Sequence, residues 1–267
     1  MGAGADLDPD ALTARITGEL LADGQDDDVA LVVARFIPPP LTRRNIPAVA
    51  AELAALREAV EQWAATACLP DDLLGDLQLT LGEAAANAVE HAYAGGGDFD
   101  VEIARTGDGG VDVRVRDRGR WRPEPEDNTH RGRGVDIIRA LSHSVDYLQS
   151  DAGTTVHFHL TRETRALPTP PTTLPAGEIR VVHLTEDLDL AGATAQRKRL
   201  SDERGPIAVD ITEVRYLSSA GIALLLELAE GRPLTVITRA GSAPARILSL
   251  SGLDSATEGF QVVRVPK

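Results

Sequence analysis

With 267 residues, 43% of them hydrophobic, the chain is long enough for two ordinary domains and too apolar to be disordered throughout. A formal charge of −14 argues against a nucleic-acid backbone as the main partner, which needs clustered Lys and Arg, and favours a protein partner with a basic surface. The single cysteine, Cys68, excludes an internal disulfide and a cysteine metal cluster.

The chain opens without a charged start and apolar run, and no stretch approaches the roughly 18 apolar residues of a membrane span. A soluble, cytoplasmic protein without membrane contact is expected. Asp8-Pro9 starts a helix carrying Leu12, Ile16 and Leu20, followed by the acidic turn Asp26-Asp27-Asp28 and a strand-like run from Val29 to Phe36. One helix and one strand cannot close a core, so residues 1–36 read as a remnant that needs outside support. The proline-rich stretch Ile37 to Pro47 reads as a linker, as does Ala166 to Gly177. They separate residues 48–165 and 178–267.

Residues 48–165 begin with a helical pattern (Val49, Leu53, Leu56, Val60, Trp63), break at Pro70, and resume with LTLGEAAANAVEHAY at Leu79 to Tyr93. There Glu83, Asn87 and His91 stand four apart, so a carboxylate, an amide and an imidazole share one helical face. A carboxylate can take a proton from a hydroxyl, and an amide oxygen can help hold a hard cation such as Mg²⁺. Alternation with period two follows at Val101 and Ile103 and at Val111, Val113 and Val115. Next come a helix near Val135 to Leu141 and strands at His143–Leu148 and Thr154–Leu160. Helices on one face of a mixed or antiparallel sheet make an α+β sandwich.

Three clusters fall where these strands end. Asp117-Arg118-Gly119 closes a strand, and its carboxylate can accept a hydrogen bond from an exocyclic amine, which favours adenine. Arg131-Gly132-Arg133-Gly134 opens a helix, where free N–H groups and the helix dipole suit phosphates. Gly153-Thr154-Thr155 begins the last strand and offers a hydroxyl. Residues 178–267 alternate strand and helix in a small αβ domain. Its turn LSSAGI places Ser218 and Ser219 ahead of a helix, where a serine acts either as N-cap or as a phosphate-bearing charge switch.

The order GEAAANAVEHAY, RDRG, RGRGVDIIRAL, GTTV resembles the Bergerat-fold ATPases of the GHKL superfamily, and most closely the anti-sigma-factor serine kinases of bacterial partner switching. The resemblance implies a Bergerat-type α/β sandwich that binds ATP and Mg²⁺. Within it Glu83 is the general base and Asn87 the magnesium ligand. Asp117 meets the adenine amine, Gly119, Gly132 and Gly134 shape the pocket and lid, and Thr155 lies near the base. His91 matches the pattern as a packing residue. The pattern departs at Trp121, which stands where a second lid glycine is usual. Sensor histidine kinases share the fold, but no phosphoacceptor-histidine helix precedes this one.

Residues 178–267 resemble the STAS domain of anti-sigma-factor antagonists through DLDLAGA, VDITEV, LSSAGI and LSGLD. The resemblance makes Ser219 the phosphoacceptor, with Ser218 a second candidate. Ser218 stands where Asp is usual and Ala220 where a second Ser is usual. The first 36 residues resemble the end of PPM-type phosphatases, with Asp27 at a late metal-ligand position. The other ligands are missing, and no phosphatase activity is expected. Together these imply a partner-switching regulator of transcription, a serine kinase acting on STAS antagonists or on its own STAS domain. A sigma factor is an implied partner, and a homodimer is compatible with the pattern. The competing reading is a non-catalytic, nucleotide-binding docking module that sequesters or releases partners.

Overall fold

The computed structural model describes residues 9–20, 30–33, 37–91, 97–119, 133–150, 152–161, 179–203, 205–253 and 259–266. Asp27, Trp121, Gly132 and the stretch Ala166 to Gly177 lie outside the described residues.

Helix α1 (Pro9–Leu20) forms as its apolar spacing predicts, although none of its described side chains is buried. The expected strand after it does not form over residues 30–33, where Val32 is 90% exposed.

The stretch Ile37 to Pro47, expected to be a linker, instead contributes strand β1 (Leu41–Pro47). Its prolines do not oppose this: Pro38 to Pro40 precede the strand, and Pro47 ends it on a sheet edge, where a missing N–H is tolerated. The Trp63 indole donates to the Pro39 carbonyl at 3.0 Å and ties this entry segment to α2 (Ala50–Thr66).

After Pro70, α3 (Asp71–His91) starts with Asp71 and Asp72 in its first turn, where carboxylates complement the helix dipole. Then follow β2 (Asp98–Arg105), β3 (Val111–Asp117), α4 (Arg133–Leu141), β4 (Ser144–Ser150) and β5 (Gly153–Leu160). The five strands pair antiparallel in the order β1-β2-β3-β5-β4. Val101, Ile103, Val111, Val113, Val115, Val156, Phe158 and Leu160 are buried beneath the helices. This is the α+β sandwich expected from the alternation.

The C-terminal part runs β6 (Arg180–His183), α5 (Leu190–Ser201), β7 (Ile207–Asp210), α6 (Ser219–Gly231), β8 (Leu234–Arg239), α7 (Ala243–Leu250) and β9 (Phe260–Val265). Its four strands are parallel in the order β6-β7-β8-β9, each crossover carried by a helix. Asp189, Ser218 and Ser242 cap α5, α6 and α7 by accepting from Gly192, Gly221 and Ala245 N–H groups.

The two sheets do not have separate interiors. Leu79 of α3 and Ile137 of α4 belong to the apolar cluster of the parallel domain, and Leu190 of α5 packs against that of the antiparallel domain.

Candidate active site

Helix α3 carries the site because one face meets the parallel domain and the adjoining face lines a cleft against the antiparallel sheet. Glu83 sits on the first of these. It is 1% exposed, and its carboxylate reaches across the domain boundary to Ser219. The Ser219 N–H donates to Oε1 at 2.8 Å, and the Ser219 hydroxyl donates to Oε2 at 2.5 Å. The carboxylate thus satisfies a free N–H at the start of α6, where negative charge is favoured. Burial still raises Glu83 to about 6, against the opposing effect of the two hydrogen bonds. Such a carboxylate is mostly ionised at neutral pH and sits near the optimum for a general base.

Gly134, in the first turn of α4, borders the same carboxylate. A Cβ there would stand 2.6 Å from Glu83 Oε2, so glycine lets α4 close over it.

The two serines have different surroundings. Ser218 is 4% exposed, accepts from Gly221 N–H and donates to the Leu188 carbonyl at 3.1 Å. It is the helix cap. Ser219, one residue on, directs its hydroxyl to Glu83.

Around this contact the Arg57 guanidinium of α2 pairs with Asp189 at 2.6 Å and lies 4.7 Å from the centroid of the Tyr216 ring. Burial and the Glu83 charge raise the Tyr216 phenol well above its ordinary value, so it stays neutral.

The adjoining cleft, with about 410 Å³ of empty space, is lined by Ala84, Asn87, Asp117, Tyr147, Thr154 and their neighbours. Asp117 is 9% exposed at the end of β3. Its Oδ1 accepts from Gly119 N–H at 2.9 Å and from Thr154 N–H at 3.3 Å. Burial raises its pKa, and those N–H donors oppose the rise. Arg118 turns away to Asp98 and Asp100. Gly153, at φ +127°, lets the start of β5 pass close to the Asp117 carbonyl, where a Cβ would collide.

The expectation for Thr155 is corrected here. In β5 the residues Thr154, Val156, Phe158 and Leu160 face the helices, so Thr155 faces the opposite side of the sheet. Thr154 is the hydroxyl in the cleft. Sequence reading also missed Tyr147, whose hydroxyl is buried in the cleft wall without a hydrogen-bond partner among the described residues. The alternation of Val145 with Tyr147 along β4 was the available signal. His91 is the last residue of α3, and its side chain lies outside the described set.

The cleft suits an adenine nucleotide: it offers an acceptor on Asp117, a buried Tyr147 hydroxyl without a partner among the described residues, and apolar walls from Ala84, Ala88, Val115 and Val156. Among the described residues no cluster of three or more His, Cys, Asp or Glu could hold a metal. Half-buried Asn87 is the hard-oxygen donor beside the cleft, which fits Mg²⁺ taking its remaining ligands from phosphates and water.

Two family descriptions match the chain: a histidine kinase-like ATPase domain over residues 46–160, and a Mlab, STAS domain over residues 175–263. Residues 46–160 are therefore a histidine kinase-like ATPase domain and residues 175–263 a STAS domain. Among solved structures it is similar to the RsbU and RsbW domains of Rv1364c from Mycobacterium tuberculosis. That match has 27% identity and a TM-score of 0.39, over 49% of this chain and 35% of the other. It is also similar to the Erythrobacter litoralis EL346 blue-light activated histidine kinase, at 23% identity and a TM-score of 0.31, over 41% of this chain and 40% of the other. The chain thus spans about a third of the first relative and two fifths of the second. Comparison with curated proteins gave no match. Among the described residues no helix is long and apolar enough to cross a membrane.

Proposed function

We propose that the chain is an ATP- and Mg²⁺-dependent protein serine kinase whose substrate is Ser219 of its own STAS domain. The observation that carries this reading is the pair of hydrogen bonds from Ser219 to Glu83. Glu83, which accepts from the Ser219 hydroxyl, would take its proton as the Ser219 oxygen attacks. Bound Mg-ATP would supply the γ-phosphoryl group, with ADP leaving. Asp117, Thr154 and Tyr147 would hold the base, and Asn87 the metal. Gly134 would let α4 close over Glu83, and Gly119 and Gly132 would shape the pocket and lid as their sequence context implies.

The bound serine needs no search for its base, since donor and acceptor are already within hydrogen-bond reach. A phosphate on Ser219 could not keep this contact, because two anions would share one buried spot. Modification would therefore separate the domains, which is the behaviour of a partner-switching regulator. On this reading the partners are STAS antagonists, the fused one first, and a sigma factor downstream.

The test is intact mass and phosphosite mapping after incubation with Mg-ATP, for wild type, Glu83→Ala and Ser219→Ala. Phosphate on Ser219 in wild type and its loss in both variants supports the proposal. A chain that binds ATP and never gains phosphate overturns it.

A further inference from the structure

The contact between Glu83 and Ser219 would be available to any serine at a helix start. Something else must decide which STAS domain reaches it. Two other contacts on the same helix do this.

The first is a hole at Gly82, the residue before Glu83. A Cβ built there would stand 2.9 Å from Cζ of Tyr216, with the hydroxyl closer still. Tyr216 is 5% exposed and lies three residues before Ser219, so the depth to which its ring enters sets how far the serine advances. Even a methyl group at position 82 would push the ring out.

The second lies two turns earlier on α3. Asp76 pairs with the Arg246 guanidinium from α7: Nη2 donates to Oδ2 at 2.9 Å, and Nη1 lies 2.6 Å from Oδ1 as an ion-pair contact without hydrogen-bond geometry. The Asp76 side chain is 11% exposed and that of Arg246 is 24% exposed. This buried, hydrogen-bonded ion pair ties α7 to α3 at a second point. Leu79, between the two contacts along α3, enters the apolar cluster of the STAS domain. The hole and the ion pair grip different STAS elements, the turn before α6 and helix α7, so two separated points together fix both insertion and rotation.

We infer that Gly82 and Asp76 are selectivity residues, which admit to Glu83 a STAS domain bearing a tyrosine and an arginine at the places of Tyr216 and Arg246, namely the chain's own. Selection works by rejection as much as by attraction. A STAS domain lacking the arginine would bury the Asp76 carboxylate unpaired, a loss of roughly 100-fold or more in docking. A STAS domain with a bulkier knob would not fit the Gly82 hole. The consequence for phosphoryl transfer rests on the kinase reading, whereas docking is measurable without nucleotide.

The experiment uses the full chain and two matched sets. One is Gly82→Ala, then Gly82→Ala with Tyr216→Leu, which shortens the knob. The other is Asp76→Arg, Arg246→Asp, and both together, which reverses the pair. Docking is read without ATP as hydrogen-exchange protection of amides 215–221, and transfer as the initial rate of Ser219 phosphorylation. Nucleotide binding and a thermal melt report folding in each variant. Each single variant is expected to lose at least tenfold in both protection and rate while still binding ATP, and each double to recover most of the loss. Single variants that dock like wild type, or doubles no better than their singles, overturn the inference. If wild type gains no phosphate, the kinase reading fails alone, and the exchange pattern still decides selectivity.

Discussion

Glu83 should impose its own ionisation on the reaction. With a pKa of about 6, it is about nine-tenths ionised at pH 7 and about one-tenth at pH 5, so Ser219 phosphorylation should fall about tenfold across that interval. An ordinary glutamate, with a pKa of 4.5, would still be about three-quarters ionised at pH 5, and the rate would fall less than twofold. The direction of linkage separates this from a loss of docking. A carboxylate whose pKa rises on burial contributes stability that is fully present below its ordinary value and lost as pH rises through the shifted one. Moving from 4.5 to about 6 corresponds to about 2 kcal/mol favouring the buried state in acid. Asp76, raised to about 6 by burial at the same interface, acts in the same sense. Acid therefore holds the domains together while disabling the base. The assay is the single-turnover rate of Ser219 phosphorylation from pH 5 to 8, for wild type and Glu83→Gln. Glu83→Gln should be about 10²- to 10⁴-fold slower and lose the inflection near 6. A wild-type rate flat between pH 7 and 5, or a Gln variant as fast as wild type, refutes the assignment of Glu83 as base.

Three further outcomes follow from neighbouring contacts. Ser218→Ala should lower the stability of the STAS domain by about 1 kcal/mol through loss of the α6 cap, yet leave phosphate on Ser219, as read by denaturant melts and phosphosite mapping. Asp117→Asn should weaken ATP binding by roughly tenfold to a hundredfold, and Tyr147→Phe by a smaller factor, both measured by calorimetry in Mg²⁺. His159 is held between Asp108 and Asp112, each 2.9 Å from a ring nitrogen. Burial lowers its pKa, but the two carboxylates outweigh burial and raise it above 6.5. That stabilisation is fully present below 6.5 and is lost as pH rises through the shifted value. The melting temperature should therefore drop more between pH 6 and 9 in wild type than in His159→Gln.

The sequence exposed those features that repeat locally. Valines alternating at 111, 113 and 115 defined β3 and its buried face, and the small residues of α3 marked the helix that meets both the cleft and the STAS domain. Reading failed where one step in register or one distant contact decided the outcome. Thr154 and Thr155 differ by one position in a structure of period two, so the wrong choice put the hydroxyl on the far side of the sheet. The prolines of Ile37 to Pro47 suggested a spacer, but at an edge strand they cost no ladder hydrogen bond in the sheet interior. Ser218 and Ser219 could be told apart only when Gly221 and Leu188 were seen to occupy the first. Arg57 with Asp189 and Asp76 with Arg246 join residues 132 and 170 positions apart, and no local pattern announces such pairs.

The central claim is that Ser219 is phosphorylated while docked on Glu83 of the same chain. The most direct measurement is the Mg-ATP-dependent initial rate of phosphate gain, by intact mass, across a hundredfold range of protein concentration. The account predicts one phosphate, on Ser219, appearing with a first-order rate constant independent of concentration. A rate constant that rises in proportion to concentration, or phosphate at a position other than Ser219, would contradict it.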